Sequence, residues 1–184
     1  MKTLTYLAKP RSTNDSDAKL SSSWTLDTGS SEVEFTIKCL GVFVKGSFKG
    51  LNGEIFFDGK NSVYSNINAS IDVNTLRTGI LIRNRILSHS TYFDERKYPQ
   101  ITFRSENITR FGSGYKANGN LIMKGNWRHK TIPFIFEQKG NIGIFKSKFI
   151  LDRLDFDIGK RNSIIANTVK VKLTAIAIKN ESIK

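Results

Sequence analysis

The feature that most constrains this chain is an alternation of apolar and polar residues that recurs in segment after segment. In the stretch EVEFTIKC, Val33, Phe35 and Ile37 fall on one face, and charged or hydroxyl side chains fall on the other. Side chains of a strand point alternately to its two faces, so this pattern indicates a half-buried β-strand. About eight such segments follow one another, and one helical segment interrupts them at residues 79–89. The pattern predicts an all-β protein, an antiparallel β-barrel of about eight strands with a short helix.

The first residues of the chain lack this alternation. Residues 1–23 are polar, rich in serine and aperiodic, so we predict a flexible N-terminal tail followed by one β-barrel domain at 24–184. The tail has no apolar stretch of the length that a secretion signal uses, and no segment reaches the roughly 18 apolar residues of a membrane-spanning helix. We therefore expect a cytoplasmic protein from the chain as given, and a periplasmic one if a signal peptide has been removed.

The net charge leaves two interpretations open. The chain has 29 basic and 16 acidic residues, a net charge of +13. This excess favours anionic partners, so a basic β-barrel that binds nucleic acid or another anion on its surface is the main alternative to dispersed, solvent-facing lysines. In strand after strand, however, phenylalanines lie on the face opposite the lysines, whereas base stacking requires aromatic rings beside the basic groups. We therefore expect no nucleic-acid partner.

Few residues of this chain are suited to catalysis or metal binding. The chain has one cysteine, Cys39, and two histidines, His89 and His129, which are far apart in the sequence. This set excludes an intramolecular disulfide and gives little support to a zinc site or a nucleophilic triad. The acidic stretch DRLDFDIG at 152–159 lacks the spacing and the terminal glutamate of a calcium loop, so we expect a solvated acidic turn there. We predict a protein that is not an enzyme and uses no metal and no cofactor.

The inward faces of the predicted strands combine bulky phenylalanines with small alanine, glycine and serine side chains. A small barrel can use this mixture to fill its interior completely, and a larger barrel can enclose a lumen lined by aromatic and aliphatic groups. The alternation does not distinguish a packed barrel from a hollow one, so both interpretations stay open.

Several segments, taken in their order along the chain, carry a resemblance to a known family. They are WTLDTGSSEVEFTIKCLGVFVKGSFKGLNGEIFFD, ASIDVNTLRTG, RNRILSHSTYFDERKYPQITFRS, GNLIMKG, DRLDFDIG and NTVKVKLTAIA. Their succession resembles the YceI-like family of bacterial proteins over nearly the whole chain from Trp24. The resemblance implies a lipocalin-like antiparallel barrel that binds a polyisoprenoid or an isoprenoid quinone in its lumen, as a carrier, storage or stress-related lipid-binding protein. It also implies that the stretch 90–105, STYFDERKYPQITFRS, lies beside the lumen as its floor and entry.

The alternation and the resemblance together identify the residues expected to contact such a lipid. The apolar lumen positions are Phe35, Ile37, Phe48, Phe57, Ile71, Val73, Phe103, Leu121, Met123, Phe134, Phe136, Phe149 and Leu173. A polar or phosphorylated head group would stay near the opening, where Arg83, Arg85 or Arg96 would meet it, although these arginines are equally explained as solvated surface charges. The expected partner is an isoprenoid lipid, and transient membrane contact and a homodimer are left open.

The chain departs from the family pattern in the helical segment. Where the family often has Arg-Asp-x-His-Leu, this chain has Arg83, Asn84, Arg85, Ile86 and Leu87. The acid is replaced by Asn84 and the histidine by Ile86, so no polar role of that Asp/His pair carries over. An isoleucine at this position would instead extend an apolar edge of the opening.

Overall fold

In the computed structural model, which describes residues 22–59 and 65–180, the chain consists of ten strands and one short α-helix. The strands are β1 (Ser23–Leu26), β2 (Glu32–Cys39), β3 (Val42–Lys49), β4 (Asn52–Phe56), β5 (Asn66–Asp72), β6 (Gln100–Phe111), β7 (Gly114–Met123), β8 (Asn126–Lys139), β9 (Ile142–Asp152) and β10 (Ile165–Lys179), and the helix is α1 (Leu81–Ser88). Most of the predicted tail at 1–23 lies outside the described residues, as do residues 181–184 of the predicted domain at 24–184.

Eight of these strands close into a barrel. Hydrogen-bonded neighbours follow the order β1-β4-β5-β6-β7-β8-β9-β10, and β10 also pairs with β1, which completes the ring. All pairings are antiparallel, and the hairpin of β2 and β3 is attached to β10 as an additional element. The predicted antiparallel barrel of about eight strands with a short helix is therefore confirmed, and the barrel carries two further strands.

The long strand β10 explains how this barrel has two different ends. Its residues 177–179 pair with β1, whereas residues 165–174 pair with β2. The chain turns at residues 27–31, so β1 and β2 follow each other along the same edge of β10. We call the end of the barrel with β1 and β4 the closed end. The end with the turn between β2 and β3 is the open end.

At the open end, the ring of strand pairs is nearly interrupted. Strand β3 is joined to the segment after β5 by one bridge, in which the backbone N–H groups of Ser47 and Arg77 each donate to the other's carbonyl at 2.8 Å. Helix α1 begins four residues later. Neither α1 nor any other helix within the described residues is long and apolar enough to cross a membrane.

At the closed end, aromatic side chains fill the barrel. The members of this aromatic cluster are Trp24, Phe57, Tyr115, Phe134, Phe136 and Phe145. Neighbouring ring centroids lie 4.7–6.5 Å apart, mostly edge to face, which is the arrangement that aromatic quadrupoles favour. The indole N–H of Trp24 donates to the carbonyl of Phe57 at 3.0 Å, so this buried donor is satisfied. The interior is therefore packed at this end.

Candidate functional site

The rest of the barrel interior is a cavity of about 390 Å³. Small-ligand sites in proteins occupy roughly 300–1,000 Å³, so the volume is that of a ligand site. The lining is mainly aliphatic and aromatic, and the described residues contribute two charged side chains to it, Arg83 and Arg153. Of the two interpretations that the alternation leaves open, the structure shows the hollow barrel.

Ten of the thirteen apolar positions predicted to face a lumen line this cavity. They are Phe35, Ile37, Phe48, Ile71, Phe103, Leu121, Met123, Phe134, Phe149 and Leu173. Inward residues of neighbouring strands lie side by side, as Phe103 of β6 and Leu121 of β7 do, so the alternation brings them to one surface. Their contact with a lipid stays a prediction.

Three of the predicted positions need a correction, because they lie outside the cavity lining. Phe57 and Phe136 belong to the aromatic cluster, where their ring centroids are 5.0 Å apart. Val73 follows the last residue of β5 and is buried in a short 3-10 helix, Val73–Thr75. Alternation gives the face of a strand, but it gives neither the depth of a residue along the barrel nor the residue at which the strand ends.

The cavity opens beside helix α1. Ile86 lines the cavity and is 50% exposed, so it marks the opening, which we call the mouth. Leu87, Arg83 and Thr78 line the same part of the cavity. The side-chain oxygen of Asn84 accepts hydrogen bonds from the backbone N–H of Thr78 at 2.9 Å and from its hydroxyl at 2.7 Å. The residue that replaces the family's acid thus ties the helix to the preceding loop, and Ile86 gives the mouth an apolar edge.

The three arginines predicted to meet a head group do not converge. Arg83 is half-buried and lines the cavity. Arg85 is exposed on α1, and Arg96 is exposed in the turns before β6; neither lines the cavity. Arg85 and Arg96 therefore lie in solvent rather than in the cavity lining, and contact of any of the three arginines with a head group stays a prediction.

The stretch 90–105 connects α1 to β6 and forms part of the cavity wall. After the helix, the backbone N–H of Phe93 donates to the carbonyl of Leu87 at 3.0 Å, and that of Asp94 donates to the carbonyl of His89 at 3.1 Å. Asp94 has a φ of 50°, a left-handed conformation that aspartate tolerates better than most residues. The reversal leaves Phe93 lining the cavity, with its ring edge-on to Phe48 at a centroid distance of 5.5 Å. This stretch therefore lies beside the cavity as part of its wall, next to the mouth.

A buried arginine that the sequence analysis did not select lies in the cavity wall. Arg153 is 5% exposed and belongs to a 3-10 helix, Arg153–Phe156, where we expected a solvated acidic turn. Its guanidinium donates five hydrogen bonds of 2.8–3.3 Å to the segment 158–167, four of them to backbone carbonyls. The side chain thus fixes the loop that leads into β10. Its sequence signal was weak, because an arginine among aspartates suggests surface ion pairs rather than buried backbone acceptors.

Other lining residues come from outside the regular strands. Thr78, Leu87, Tyr92 and Ile158 belong to α1 and to loops, where no period assigns a face. The direction in which a loop side chain points depends on the individual turn. Only the folded structure therefore shows that these residues line the same cavity as the strand residues.

The cavity offers mainly apolar contact, and the free thiol of Cys39 is part of its lining. Among the described residues, no three His, Cys, Asp or Glu side chains come together to hold a metal ion. The buried hydroxyl of Ser147 donates to the carbonyl of Pro133 at 2.5 Å, so it is held by the backbone rather than by a general base. His89 and His129 are exposed and lie outside the lining. Burial of an apolar molecule is the chemistry that this arrangement provides.

Comparison with known sequences identifies relatives of the barrel. Residues 24–177 match the family model of the YceI-like domain. UPF0312 proteins from Yersinia pestis and Yersinia pseudotuberculosis are 33% identical over 110 residues, which is 59% of this chain and 57% of theirs. The chain thus aligns with less than two thirds of the length of these curated relatives.

Solved structures share the architecture. Burkholderia cenocepacia BcnA superposes with a TM-score of 0.78 at 28% identity, over 82% of this chain and 98% of that one. A polyisoprenoid-binding domain from Saccharophagus degradans, implicated in plant cell wall breakdown, gives a TM-score of 0.67 at 17% identity, over 85% and 98% of the two chains. A YceI protein from Campylobacter jejuni gives 0.67 at 18% identity, over 76% and 86%. At below 25% identity, the last two similarities show the fold alone.

Proposed function

Because the chain belongs to the YceI-like family, we propose that it binds a long-chain apolar lipid, a polyisoprenoid or an isoprenoid quinone, in the barrel cavity. The observation that carries this proposal is an apolar cavity that is closed by packed aromatic rings at one end and open beside α1 at the other. The similar barrel from Saccharophagus degradans is a polyisoprenoid-binding domain, which supports the choice of lipid. The protein acts by binding and release, as a carrier, storage or stress-related protein, and not as an enzyme.

The driving force for binding is burial of the apolar tail. Removing apolar surface from water gains about 25 cal/mol for each square ångström, or about 0.8 kcal/mol for each methylene group. An isoprene unit carries several such groups, so each additional unit that enters the cavity should tighten binding by at least about tenfold, after the lost freedom of the tail is taken into account.

The shape of the cavity favours entry of the tail before the head group. The aromatic cluster blocks the closed end, so a tail that enters at the mouth leaves its head group there. Thr78 and Arg83 are polar residues that line the cavity beside the mouth, and the Thr78 hydroxyl is already engaged with Asn84. A phosphorylated head group would therefore pair with the guanidinium of Arg83, which can bind phosphate oxygens in a bidentate manner.

Lipid identity and tail length give the direct test. Organic extraction of the purified protein followed by mass spectrometry should detect a bound isoprenoid. Titration with polyprenols of increasing length should show affinity that rises with each unit and levels off when the cavity is full. Affinity that ignores tail length but follows head-group charge and salt would contradict the proposal and favour a basic surface that binds anions.

Two neighbouring residues of β5 provide a matched pair of variants for this titration. Ala69 lines the cavity, and Asn68 is exposed on the opposite face of the strand. Ala69→Phe should shorten the longest polyprenol that binds fully, because the added ring occupies space that the tail needs. Asn68→Phe adds the same ring outside the barrel and should leave the length dependence unchanged. Equal changes in both variants would mean that the lipid does not bind in the cavity.

A further inference from the structure

Large apolar side chains are exposed around the mouth. Of the fifteen large hydrophobic residues that are exposed in the described part of the chain, eight fall in three segments, 36–45, 76–89 and 158–170. These residues, which we call the apolar rim, are Leu40, Val42, Phe43, Ile80, Leu81, Ile82, Ile86 and Ile164. Single exposed apolar residues are common on proteins, but a concentration of this kind marks an interaction surface.

Backbone contacts bring the three segments together. The backbone N–H of Leu40 donates to the carbonyl of Ile164 at 2.8 Å, which joins the turn of the β2–β3 hairpin to the loop before β10. The bridge between Ser47 and Arg77 joins β3 to the segment that leads into α1. Ile86 lines the cavity itself. The apolar rim therefore lies at the open end of the barrel, with Ile86 at the mouth.

Helix α1 presents apolar side chains to solvent. Leu81 is 86% exposed, Ile82 is 63% exposed, and none of the eight residues of α1 is buried. A surface helix of a globular protein normally turns its apolar face to the core. This helix departs from that rule beside the mouth of the cavity, where its apolar side chains are free to contact another apolar surface.

The same three segments are basic. They carry Lys38, Lys45, Arg77, Arg83, Arg85, Lys160, Arg161 and Lys170, and they contain no aspartate or glutamate. The 16 acidic residues of the chain lie outside these segments, and the nearest ones adjoin them, as Asp94 and Glu95 do in the turn after α1 and Asp157 does before Ile158. Apolar side chains interspersed with lysine and arginine are the combination that binds anionic bilayer surfaces. Nucleic acid fits less well, because seven of the eight rim residues are aliphatic and cannot stack on bases.

We propose that the apolar rim docks onto the surface of an anionic lipid bilayer, with the mouth of the cavity facing the membrane. Leu81, Ile82 and Phe43 then insert among the lipids, while Arg85 and Arg161 lie at the level of the phosphates. In this position a lipid tail passes between the bilayer and the cavity without crossing water. The docking rests on the exposed surface alone, and the transfer of a tail rests on the proposed function.

A matched pair of double variants of the full chain tests the docking. Phe43→Ser with Ile82→Ser removes two rim side chains, which are 62% and 63% exposed. Phe111→Ser with Ile178→Ser removes the same residue types at the closed end, where they are 55% and 48% exposed. All four residues are exposed, so both variants should keep the circular dichroism spectrum and melting temperature of the wild type.

Vesicle sedimentation gives the readout, with phosphatidylcholine vesicles that contain about one-third phosphatidylglycerol. The wild type and the closed-end variant should bind alike, and the rim variant should bind at least about tenfold more weakly. Wild-type binding should also fall when salt is raised or when pure phosphatidylcholine is used. Equal vesicle binding by the two double variants would overturn the proposal.

A second copy of the chain is the competing occupant of the apolar rim. If sedimentation velocity shows a wild-type dimer that the rim variant loses, while its vesicle binding is unchanged, the rim is a dimer interface and the docking proposal fails.

Titration with farnesol in the absence of vesicles separates docking from lipid binding. The rim variant should bind farnesol like the wild type. Vesicle binding without farnesol binding in either protein would count against the proposed function and leave docking supported.

Discussion

The two ends of the barrel follow the same alternation of residues but reach opposite states. At the closed end, β1 and β4 complete the ring of strand pairs and six aromatic side chains fill the interior. At the open end, β3 meets the segment after β5 at one bridge, and the interior is hollow. The inward residues are apolar at both ends, so hydrophobicity does not distinguish them.

Strand connectivity and side-chain volume explain the difference. At the closed end, Gly143 lies close to the rings of Trp24 and Phe136, and this absence of a side chain allows the rings to pack across the barrel. At the open end, α1 and loops replace strand pairs, and their residues line the interior without filling it. The comparison teaches that one barrel can be packed with aromatic rings at one level and hollow at another.

Removal of the central indole should give the largest loss of stability. Trp24 is 1% exposed, contacts Phe136 and Phe145 edge to face, and donates to the Phe57 carbonyl. Trp24→Ala should therefore lower the free energy of unfolding by about 3–5 kcal/mol, measured by urea denaturation. Trp127→Ala is the control, because that side chain is exposed, and should change it by less than about 0.5 kcal/mol. Similar losses in both variants would contradict a closed end that stabilises the barrel.

Replacement of the buried arginine should be the next largest effect. Arg153→Met removes five hydrogen bonds and leaves carbonyls of the loop at 158–167 without their donor, at a cost of about 2–3 kcal/mol in unfolding free energy. Hydrogen exchange should accelerate in that loop and not in the aromatic cluster. Arg161→Met in the same loop is the control, since Arg161 is exposed and should tolerate the change. Unchanged exchange in Arg153→Met would show that the loop is held by other contacts.

The fold was largely predictable, because apolar residues at every second position show which face of a strand is buried. The alternation therefore identified positions such as Phe103 and Leu121, which lie side by side in the cavity wall. It could not place residues along the barrel axis, so Phe57 and Phe136 were assigned to the cavity although they pack in the aromatic cluster. Depth depends on strand register and tilt, which arise from pairings between distant segments.

The alternation of apolar and polar residues could not predict the parts of the site that lie in loops and in the short helix. Arg153 is buried because the loop at 158–167 folds back around it, and this contact exists only in the folded chain. The exposure of Leu81 and Ile82 was equally hidden, because apolar residues in a short helix ordinarily predict a buried face. Both features belong to the open end, so the alternation explained the barrel better than it explained the mouth.

Two glycine substitutions should sharpen the contrast between the ends. A Cβ atom at Gly46 would lie 2.4 Å from the ring of Phe35, and one at Gly143 would lie 2.9 Å from the ring of Trp24. The nominal clash is worse at Gly46, where the Cβ would also lie 3.1 Å from the carbonyl oxygen of Arg77. The ring of Phe35, however, lines the cavity and can move toward it, whereas Trp24 is surrounded by packed rings.

We therefore expect the substitution with the longer Cβ-to-ring distance, Gly143→Ala, to destabilise the protein more than Gly46→Ala. Gly143→Ala should cost about 1–3 kcal/mol in unfolding free energy, and Gly46→Ala should cost less than about 1 kcal/mol while it weakens binding of long polyprenols. Denaturation curves and the polyprenol titration give the two readouts. A greater loss of stability in Gly46→Ala would mean that the open end is as tightly packed as the closed end.

The smallest expected effect concerns the turn that joins the two ends, between β1 and β2. Hydrogen bonds from the Ser30 side chain and from the backbone N–H of Gly29 hold the pKa of Asp27 below its ordinary value of 3.8. A carboxyl whose pKa is lower in the folded state stabilises the fold when it is ionised, so this contribution is present above pH 3.8 and is lost as the pH falls through the folded-state pKa.

Asp27→Asn should therefore lower the melting temperature slightly at neutral pH. The two proteins should converge only below the folded-state pKa of Asp27, where the aspartate is protonated in both the folded and unfolded states. Melting curves across this range test the expectation together with a nuclear magnetic resonance titration of Asp27. A difference between the two proteins that persists unchanged at the lowest pH would show that the charge is irrelevant and that the asparagine alters the turn itself.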